Sequence, residues 1–502
     1  MNRYLEKIAK DGQSKPLQEH QSRSIEKLLA NKGLILDHST GSGKTRTLLE
    51  AIKRIQALES DGKQLVITPA SLTSNIDKEN KKHNLGLDNK RIETISYEKA
   101  INDIARLQKE KYSLIATDEG HKLRNTDTKR FKGLEELIGN AEHRLVMTAT
   151  PMYNSPENIS PLVNLVSGNK TLPTDKRKFE ERYVSRKIND PGLFSQMVLG
   201  KKPGEEVKLT NKKELSKILN QYVDHYDVKD DPANGKHFPT KTEEIKEVPM
   251  SGDQERMYKY LEGNIPFLTR MKIRHGLPLD KRESANLNAF SSGVRQVSNS
   301  TKPFYRNGNG PVSPKIEMAV SELEKSMKKD KNHRGLVYSN YLEAGLNDYS
   351  KELSRKGIKH SLYHGGLTKT EKDAAVKAYN SGEIPNLLIS TSGAEGLDLK
   401  GTKLIQSLEP HFNKSKIKQV VGRGVRYKSH DHLPENERHV TVQHYQSTFR
   451  PGMFGGKSKS KSIDQYLHTH SDDKEELVDQ VKALMKNNKK DKKNEILPDI
   501  IK

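Results

Sequence analysis

The sequence predicts an α/β protein in which two parallel-sheet domains lie in tandem with a mainly helical insertion. Short apolar, β-rich runs alternate with helix-forming stretches from Gly33 to about Asn154, the rhythm expected of parallel strands joined by helical crossovers. That rhythm fails from Ser155 to about Gly310, where the chain is charged and mostly helix-forming, and it resumes between Arg334 and His444. The boundaries that follow are a first sheet domain at 1–154, the insertion at 155–312, a second sheet domain at 313–448, and a linker, helix and basic tail at 449–502.

In the first domain the strand-like runs are Gly33–Asp37, Gln64–Thr68, Glu93–Ser96, Ser113–Thr117 and Arg144–Thr148. Most end at a polar cluster, and open α/β sheets bind ligands at the carboxyl ends of their strands. Within the insertion, loops are expected around Asp230–Lys241 and Asn307–Pro314. The second domain offers Arg334–Ser339, Lys359–Tyr363, Asn386–Ser390, Lys403–Ser407 and His439–His444. Phe449–Ser462 is rich in Gly, Ser and Lys and reads as a mobile linker. An amphipathic helix over about Ser462–Met485 then leads into a tail carrying Lys486, Lys489, Lys490, Lys492 and Lys493. No short-period repeat is present, although the two sheet domains could share a fold.

At 502 residues the chain has ample length for two or three cores. Its 88 Lys+Arg against 66 Asp+Glu leave a net charge of +22, a surface that gathers a polyanion through counterion release and speeds the encounter. With no cysteine there are neither disulfides nor thiolate zinc sites. No apolar run approaches the roughly 20 residues that span a bilayer, and the start, MNRYLEKIAKDG, lacks a secretory apolar stretch. These features predict an intracellular protein with no membrane association, and the charge suits a nucleic-acid partner or a merely soluble basic protein equally.

The chemistry is concentrated at a few strand ends. A strand followed by Gly41-Ser42-Gly43-Lys44-Thr45 and a helix has the form of a phosphate-binding loop. Its glycines let backbone N–H groups turn toward phosphate oxygens, Lys44 brings a point charge, and Thr45 offers a hydroxyl to Mg²⁺. The chain departs from the strict pattern at His38, where glycine is usual. Downstream, the apolar run Leu114–Thr117 delivers Asp118 and Glu119, which can divide the labour of holding the metal and activating water. Taken alone, such a pair is more commonly a helix N-cap with a solvated neighbour.

Thr148-Ala149-Thr150 closes the next strand, and a simple turn explains it as well as a relay does. In the second domain Ser390 and Thr391 open the turn Ser390–Gly396, where hydroxyls suit sugar-phosphate contacts. Finally, Gln419-Val420-Val421-Gly422-Arg423-Gly424-Val425-Arg426 places Arg423 and Arg426 three apart, on one helical face. Two guanidiniums aimed at one point suit a phosphoryl transition state; an exposed basic face is the alternative. The order of all these motifs along the chain weighs against coincidence.

In that order the chain resembles the superfamily-two helicases and translocases, and within them the Swi/Snf-like branch. LQEHQ at Leu17–Gln21, ITPASLTSN at Ile67–Asn75, ISYEKA at Ile95–Ala100, DEGHKLRN at Asp118–Asn125, TATPMYN at Thr148–Asn154, GVRQVSN at Gly293–Asn299 and STSGAEGLDL at Ser390–Leu399 are similar in kind. EPHFNKSKIKQVVGRGVRYKSHDHLP at Glu409–Pro434 resembles the version in DNA-dependent nucleoside triphosphatases of poxviruses and other large DNA viruses. The chain departs from the branch at Phe412, which stands where Trp is usual, and its Thr-Ala-Thr turn is nearer to that of other helicases than to that of remodellers.

The resemblance implies two RecA-like domains that close on ATP and Mg²⁺ and act on nucleic acid, with DNA favoured over RNA. It implies ATP roles for Gln21 as adenine reader and for Gly41, Ser42, Gly43, Lys44, Thr45, Asp118, Glu119, Gln419, Arg423 and Arg426, with Thr45 and Asp118 on the metal. By the same resemblance Thr68, Arg124, Arg295, Ser390 and Thr391 would face nucleic acid. The insertion and the basic tail are candidate surfaces for a protein partner. The cytoplasm of a bacterial or virus-infected cell, or the virion, is the expected location. An ATP-gated clamp that does not travel, or an RNA helicase, would use the same motifs.

Overall fold

The computed structural model describes residues 16–39, 41–58, 61–83, 85–152, 155–189, 204–231, 235–277, 279, 281–306, 308, 310–391, 397–411, 414–451, 458 and 460–486. Among the expectations above, Thr40, Asn154, Ser392–Gly396, Phe412, most of the 449–462 linker and the tail beyond Lys486 lie outside the described residues. The chain divides into two compact units, residues 1–230 with 475–502, and residues 231–474.

The first unit contains strands β1 (Gly33–His38), β2 (Lys63–Thr68), β3 (Ile92–Ser96), β4 (Tyr112–Thr117), β5 (His143–Thr148), β6 (Val184–Asn189), β7 (Gly204–Leu209) and β8 (Val223–Tyr226). Its helices are α1 (Glu19–Asn31), α2 (Lys44–Leu58), α3 (Thr73–His83), α4 (Tyr97–Asn102), α5 (Ile104–Leu107), α6 (Lys129–Gly139), α7 (Ser160–Ser167), α8 (Lys176–Tyr183) and α9 (Lys212–Tyr222). Six of the strands form one sheet in the order β3-β2-β4-β5-β1-β8, every described pairing being parallel. β6 and β7 form a separate antiparallel hairpin.

Successive side chains on a strand point to opposite faces, and here both faces are apolar. Ile35, Leu65, Ile67, Ile115 and Val146 enter one core with Leu134, Leu137, Leu162 and Val166, joined by Leu477, Val478 and Val481. Leu34, Leu36, Val66, Leu114, Ala116, Leu145 and Met147 enter the other with Ile25, Leu28, Leu48 and Ile52. A parallel sheet covered by helices on both faces reads as near-continuous apolar runs, which is why these strands were visible in the sequence.

The second unit repeats this plan with β9 (Thr240–Pro249), β10 (Gly335–Tyr338), β11 (His360–Tyr363), β12 (Asn386–Ile389), β13 (Leu404–Ser407) and β14 (His439–Thr448). They form a parallel sheet in the order β11-β12-β10-β13-β14-β9. Helices α10 (Gly252–Glu262), α11 (Phe267–His275) and α12 (Lys281–Asn299) precede α13 (Pro314–Lys329), which Ser313 caps by accepting from Ile316 N. α14 (Asp348–Arg355), α15 (Lys369–Ser381) and α16 (Lys414–Gly424) follow, and α17 (Ile463–Lys486) closes the described chain. Tyr258, Ile273, Val294, Val297, Phe449, Ile463 and Tyr466 make a helical core of their own within this unit.

The segment 155–312, expected as mainly helical, holds the β6–β7 hairpin and also gives one strand to each of the two six-stranded sheets. β8 pairs with β1 along Ile35–His38, and β9 pairs with β14 over ten residues, Thr240 opposite His439 to Pro249 opposite Thr448. The sequence hides both for physical reasons. β8 is only four residues long, and β9 is an edge strand, TKTEEIKEVP, which is mostly exposed and has Ile245, Val248 and Pro249 as its apolar residues. Charged edges protect a sheet from pairing with foreign strands and erase the apolar alternation that sequence patterns rely on. Among the described residues no helix is long and apolar enough to cross a membrane.

Close approach of α7 to β1 depends on Gly33, where a Cβ would stand 1.9 Å from the Val166 carbonyl oxygen. Gly33→Ala is expected to cost about 1–3 kcal/mol through overpacking, whereas Gly139→Ala, in α6 with nothing near the added Cβ, is expected to be neutral or stabilising by up to about 1 kcal/mol. Equilibrium denaturation of both variants checks the contrast.

Candidate functional site

β4, β5 and β1 are consecutive and parallel in the first sheet, so their carboxyl ends share one edge. That edge carries Asp118 and Glu119 after β4, the Thr148–Thr150 turn at the end of β5, and the phosphate-loop sequence after β1.

The loop has the conformation its glycines require, with φ of 87° at Gly41 and 82° at Gly43, values that L side chains adopt with strain. At Gly43 a Cβ would also meet Gln21 Nε2 at 2.5 Å. Gln21 is buried against this loop; its Nε2 donates to Gly43 O at 3.4 Å and its Oε1 accepts from Gln18 N at 3.0 Å. The loop runs directly into α2 at Lys44, whose Nζ donates to the carbonyls of His38 (2.7 Å) and Ser39 (3.3 Å). Thr45 is half-buried one residue further on. Ser42 Oγ is buried with no hydrogen-bond partner among the described residues. A donor without a partner, two positive-φ glycines and a helix N-terminus together fit a bound phosphate.

Across β5, Asp118 N donates to Ile67 O at 2.8 Å, and Tyr97 OH donates to Asp118 O at 2.9 Å, so the end of β4 is held from two sides. Burial, and next the adjacent Glu119 carboxylate, push the Asp118 carboxyl above its ordinary range. A divalent cation would relieve both effects, and in this respect Thr45 and Asp118 suit Mg²⁺. Glu119 adopts a left-handed backbone, φ 51° and ψ 43°, with its N–H donating to Asp118 Oδ1 at 2.9 Å. Gly120 lets this turn lie on β5, since a Cβ there would meet Val146 Cγ1 at 2.3 Å. His121 Nδ1 lies 3.2 Å from Glu119 Oε2 and 3.5 Å from Thr148 Oγ1, so one imidazole joins the acidic pair to the Thr-Ala-Thr turn. Arg124 is half-buried and donates to His121 O at 3.2 Å. Thr68 was expected to face nucleic acid, but it is buried at the end of β2.

In the second unit Ser390 is also buried, with its N–H donating to Tyr363 O at 3.1 Å. Thr391 is half-buried and donates to Asn340 Oδ1 at 2.9 Å, beside Tyr338 OH at 3.1 Å. Asn340 in turn donates through Nδ2 to Glu409 Oε1 at 3.0 Å. Glu409, almost wholly buried, also accepts from Ser339 Oγ and from Asn299 Nδ2 at the end of α12. This carboxylate therefore ties together the ends of β10, β13 and α12 and, through Asn340, the Thr391 turn.

Arg295, expected on the nucleic-acid path, is buried in this unit. Its Nη2 donates to Pro410 O at 3.0 Å and its guanidinium lies 5.6 Å from the Tyr341 ring centre. Gln419 and Arg423 are half-buried on α16. Arg426 does not share a helical face with Arg423, because α16 ends at Gly424. Ser429 Oγ accepts from Arg426 N at 3.2 Å, which holds the residue in the following turn. Its Nη1 reaches Leu397 O at 3.2 Å and Asp398 Oδ1 at 3.4 Å.

The SNF2-related domain matches residues 73–303, and the helicase conserved C-terminal domain matches residues 314–428. An Acanthamoeba polyphaga mimivirus protein provisionally named as an ATP-dependent RNA helicase is 31% identical over 481 residues, spanning 92% of this chain and 94% of its own. The chain belongs to the SNF2-related helicase family. A termination factor NPH-I homolog of African swine fever virus is 25% identical over 556 residues, covering 91% of this chain and 75% of its own. Among solved structures, the Sulfolobus solfataricus SWI2/SNF2 ATPase core in complex with dsDNA aligns over 94% of this chain and 97% of its own, at 16% identity and a TM-score of 0.36.

As a SNF2-related ATPase the protein hydrolyses ATP and binds nucleic acid. Its sequence motifs contained His20, His121 and Glu409 without assigning them, and the side-chain contacts that give them roles come from distant segments. Asp224 and Tyr226, on β8 beside the phosphate loop, had no signal beyond the short run Val223–Tyr226.

Burial pushes the imidazoles of His20, His333 and His430 in this SNF2-related ATPase down to about 4, and lowers His38 as well. The unfolded chain takes up these protons near pH 6.5, while the fold does so only at lower pH. Stability is thus unaffected by these groups above about pH 6.5 and falls as pH drops from there toward about 4. Thermal unfolding is expected to give a nearly constant Tm down to about pH 7 and a falling one below; an unchanged Tm at about pH 5 would contradict the assignment of neutral buried histidines.

Proposed function

We propose that the protein is a DNA-dependent ATPase of the superfamily-two type that couples hydrolysis to movement along DNA. The observation that carries this reading is the meeting of the Lys44 loop with Asp118 and Glu119 at one edge of the first sheet, in a chain of the SNF2-related family. The backbone N–H groups of the loop and of the first turn of α2 would hold phosphate oxygens together with Lys44, and Thr45 with Asp118 would hold Mg²⁺. Gln21, fixed against Gly43, would read the adenine. When bound, MgATP supplies a phosphoanhydride bond whose hydrolysis drives the cycle. Glu119 would orient and deprotonate the attacking water, with His121 close enough to pass its state to Thr148.

Arg423 and Arg426, with Gln419, would be required for turnover, a contribution worth on the order of a thousandfold for an arginine at a phosphoryl transition state. Arg124 and Thr391 are the half-buried candidates for contact with the sugar-phosphate path. The net charge of +22 supports a polyanionic partner. The Swi/Snf-like motifs favour DNA, and no segment resembles the aromatic-bearing strands of a dedicated RNA-binding module. RNA remains the second reading because the mimivirus relative carries an RNA helicase name.

Lys44→Ala is expected to weaken nucleotide binding, and Glu119→Gln to spare binding while abolishing turnover; full turnover in Glu119→Gln would overturn the assignment of the base. Arg426→Ala is expected to lose hydrolysis and keep DNA binding. Triplex displacement tests travel itself: a translocating enzyme strips a third strand placed downstream on a duplex, and an ATP-gated clamp leaves it in place.

A further inference from the structure

The phosphate loop is gripped from outside at four of its residues. His38, in the position where the loop pattern usually has glycine, is fully buried, and its Nε2 lies 2.7 Å from Asp224 Oδ2. An ionised carboxylate has no proton to give, so Nε2–H is the donor and Asp224 accepts, while burial lowers the pKa of this imidazole. Asp224 also accepts from Arg23 Nε (2.9 Å) and Nη2 (3.0 Å) and from Ser24 Oγ (2.8 Å), all on α1. Ser39 is held twice by the chain around β8: its N–H donates to Tyr226 O at 2.9 Å, and its Oγ accepts from Val228 N at 2.9 Å. The Tyr226 ring stacks on His20 with centres 3.6 Å apart and planes 6° from parallel, and His20 Nε2 in turn reaches Ser42 O at 2.9 Å. Gly43 is the fourth, through Gln21.

Two of these residues, His38 and Ser39, carry the carbonyls that hold Lys44 Nζ. Stability alone gives little reason for such a cluster, since a buried ion pair is often matched or surpassed by well-packed apolar side chains of similar volume. What an ion pair with several directed hydrogen bonds does supply is a fixed geometry, here imposed on the backbone of a ligand loop.

We infer that Asp224 and Tyr226 are positioning residues of the nucleotide site, which set the phosphate loop through His38, Ser39 and Ser42 and so make β8, some 180 residues downstream of the loop, part of nucleotide recognition. The inference rests on the nucleotide site proposed above. His38 in place of glycine is then no defect of the motif, because its side chain is the handle by which β8 holds the loop.

The test uses the full chain with Asp224→Asn, Tyr226→Leu and Tyr226→Phe, measuring KM and kcat for ATP at saturating polymer, equilibrium binding of a fluorescent ATP analogue, and Tm. Asp224→Asn is expected to raise KM and the analogue Kd about tenfold or more, the scale of a lost charge-assisted hydrogen bond, with a much smaller change in kcat. Tyr226→Leu is expected to raise both by about threefold through loss of the ring stack, and Tyr226→Phe, which keeps the ring, to restore them. If Asp224→Asn does not fold, the Tyr226 pair decides. Unchanged KM and analogue Kd, or a kcat that falls with the folded fraction at constant KM, overturns the positioning role. Lys44→Ala separates the two levels: normal turnover and analogue binding in that variant would remove the nucleotide site and this inference together, whereas an impaired Lys44→Ala beside a wild-type KM in Asp224→Asn removes only the inference.

Discussion

A parallel sheet covered by helices on both faces can present polar chemistry only where its strands end, and this constraint organises both units. In the first, Ile35, Ile115 and Val146 fill one core while Leu36, Leu114 and Met147 fill the other, and the buried carboxylates on its strands, Asp37 and Asp224, are each held by a histidine. Lys44, Asp118, Glu119 and Thr148 cluster at one edge, brought there by strand order. Fully burying each such aliphatic side chain is worth about 1.5–3 kcal/mol, so the packing that excludes water from the sheet also fixes the spacing of the strand ends.

The strand ends are then refined by polar contacts that sequence proximity does not supply. In the first unit Asp224 reaches back to α1 and β1, with burial opposing its ionisation but hydrogen bonds from His38 and Arg23 holding it well below the ordinary carboxylate range. In the second, Glu409 gathers donors from Ser339, Asn340 and Asn299 and so orders the turn that carries Thr391. Each unit thus sets a strand-end loop with a buried carboxylate contributed by another part of the chain. In the first of these networks His38 Nδ1 has no hydrogen-bond partner among the described residues; the remaining contacts are coupled, so removing one member is expected to disturb the geometry of the others.

These differences explain what could and could not be read from the sequence. Strands β1, β2, β4 and β12 are legible because burial on both faces writes them as apolar runs. The loop at Gly41–Thr45 and the pair Asp118-Glu119 are legible as motifs because the phosphate and metal roles proposed for them would demand those residue types in a short span. β9 was hidden by its charged edge, and β8 by its length. Thr68, Ser390 and Arg295 were placed by analogy with a motif, and their burial follows from the packing of each strand or helix end, which a motif does not encode. The end of α16 at Gly424 separates Arg423 from Arg426 for a local reason, the hold of Ser429 on the next turn, that helical spacing alone could not foresee.

In the proposed function, nucleotide hydrolysis at the Lys44, Asp118 and Glu119 edge answers to DNA. The most direct measurement is steady-state ATP turnover at low salt with no polymer, single-stranded DNA, duplex DNA or RNA, using Glu119→Gln as the blank, since contacts to phosphates weaken as salt rises. Stimulation by DNA, duplex above all, is the predicted result. Turnover that rises only with RNA, or is indifferent to every polymer, would contradict the account.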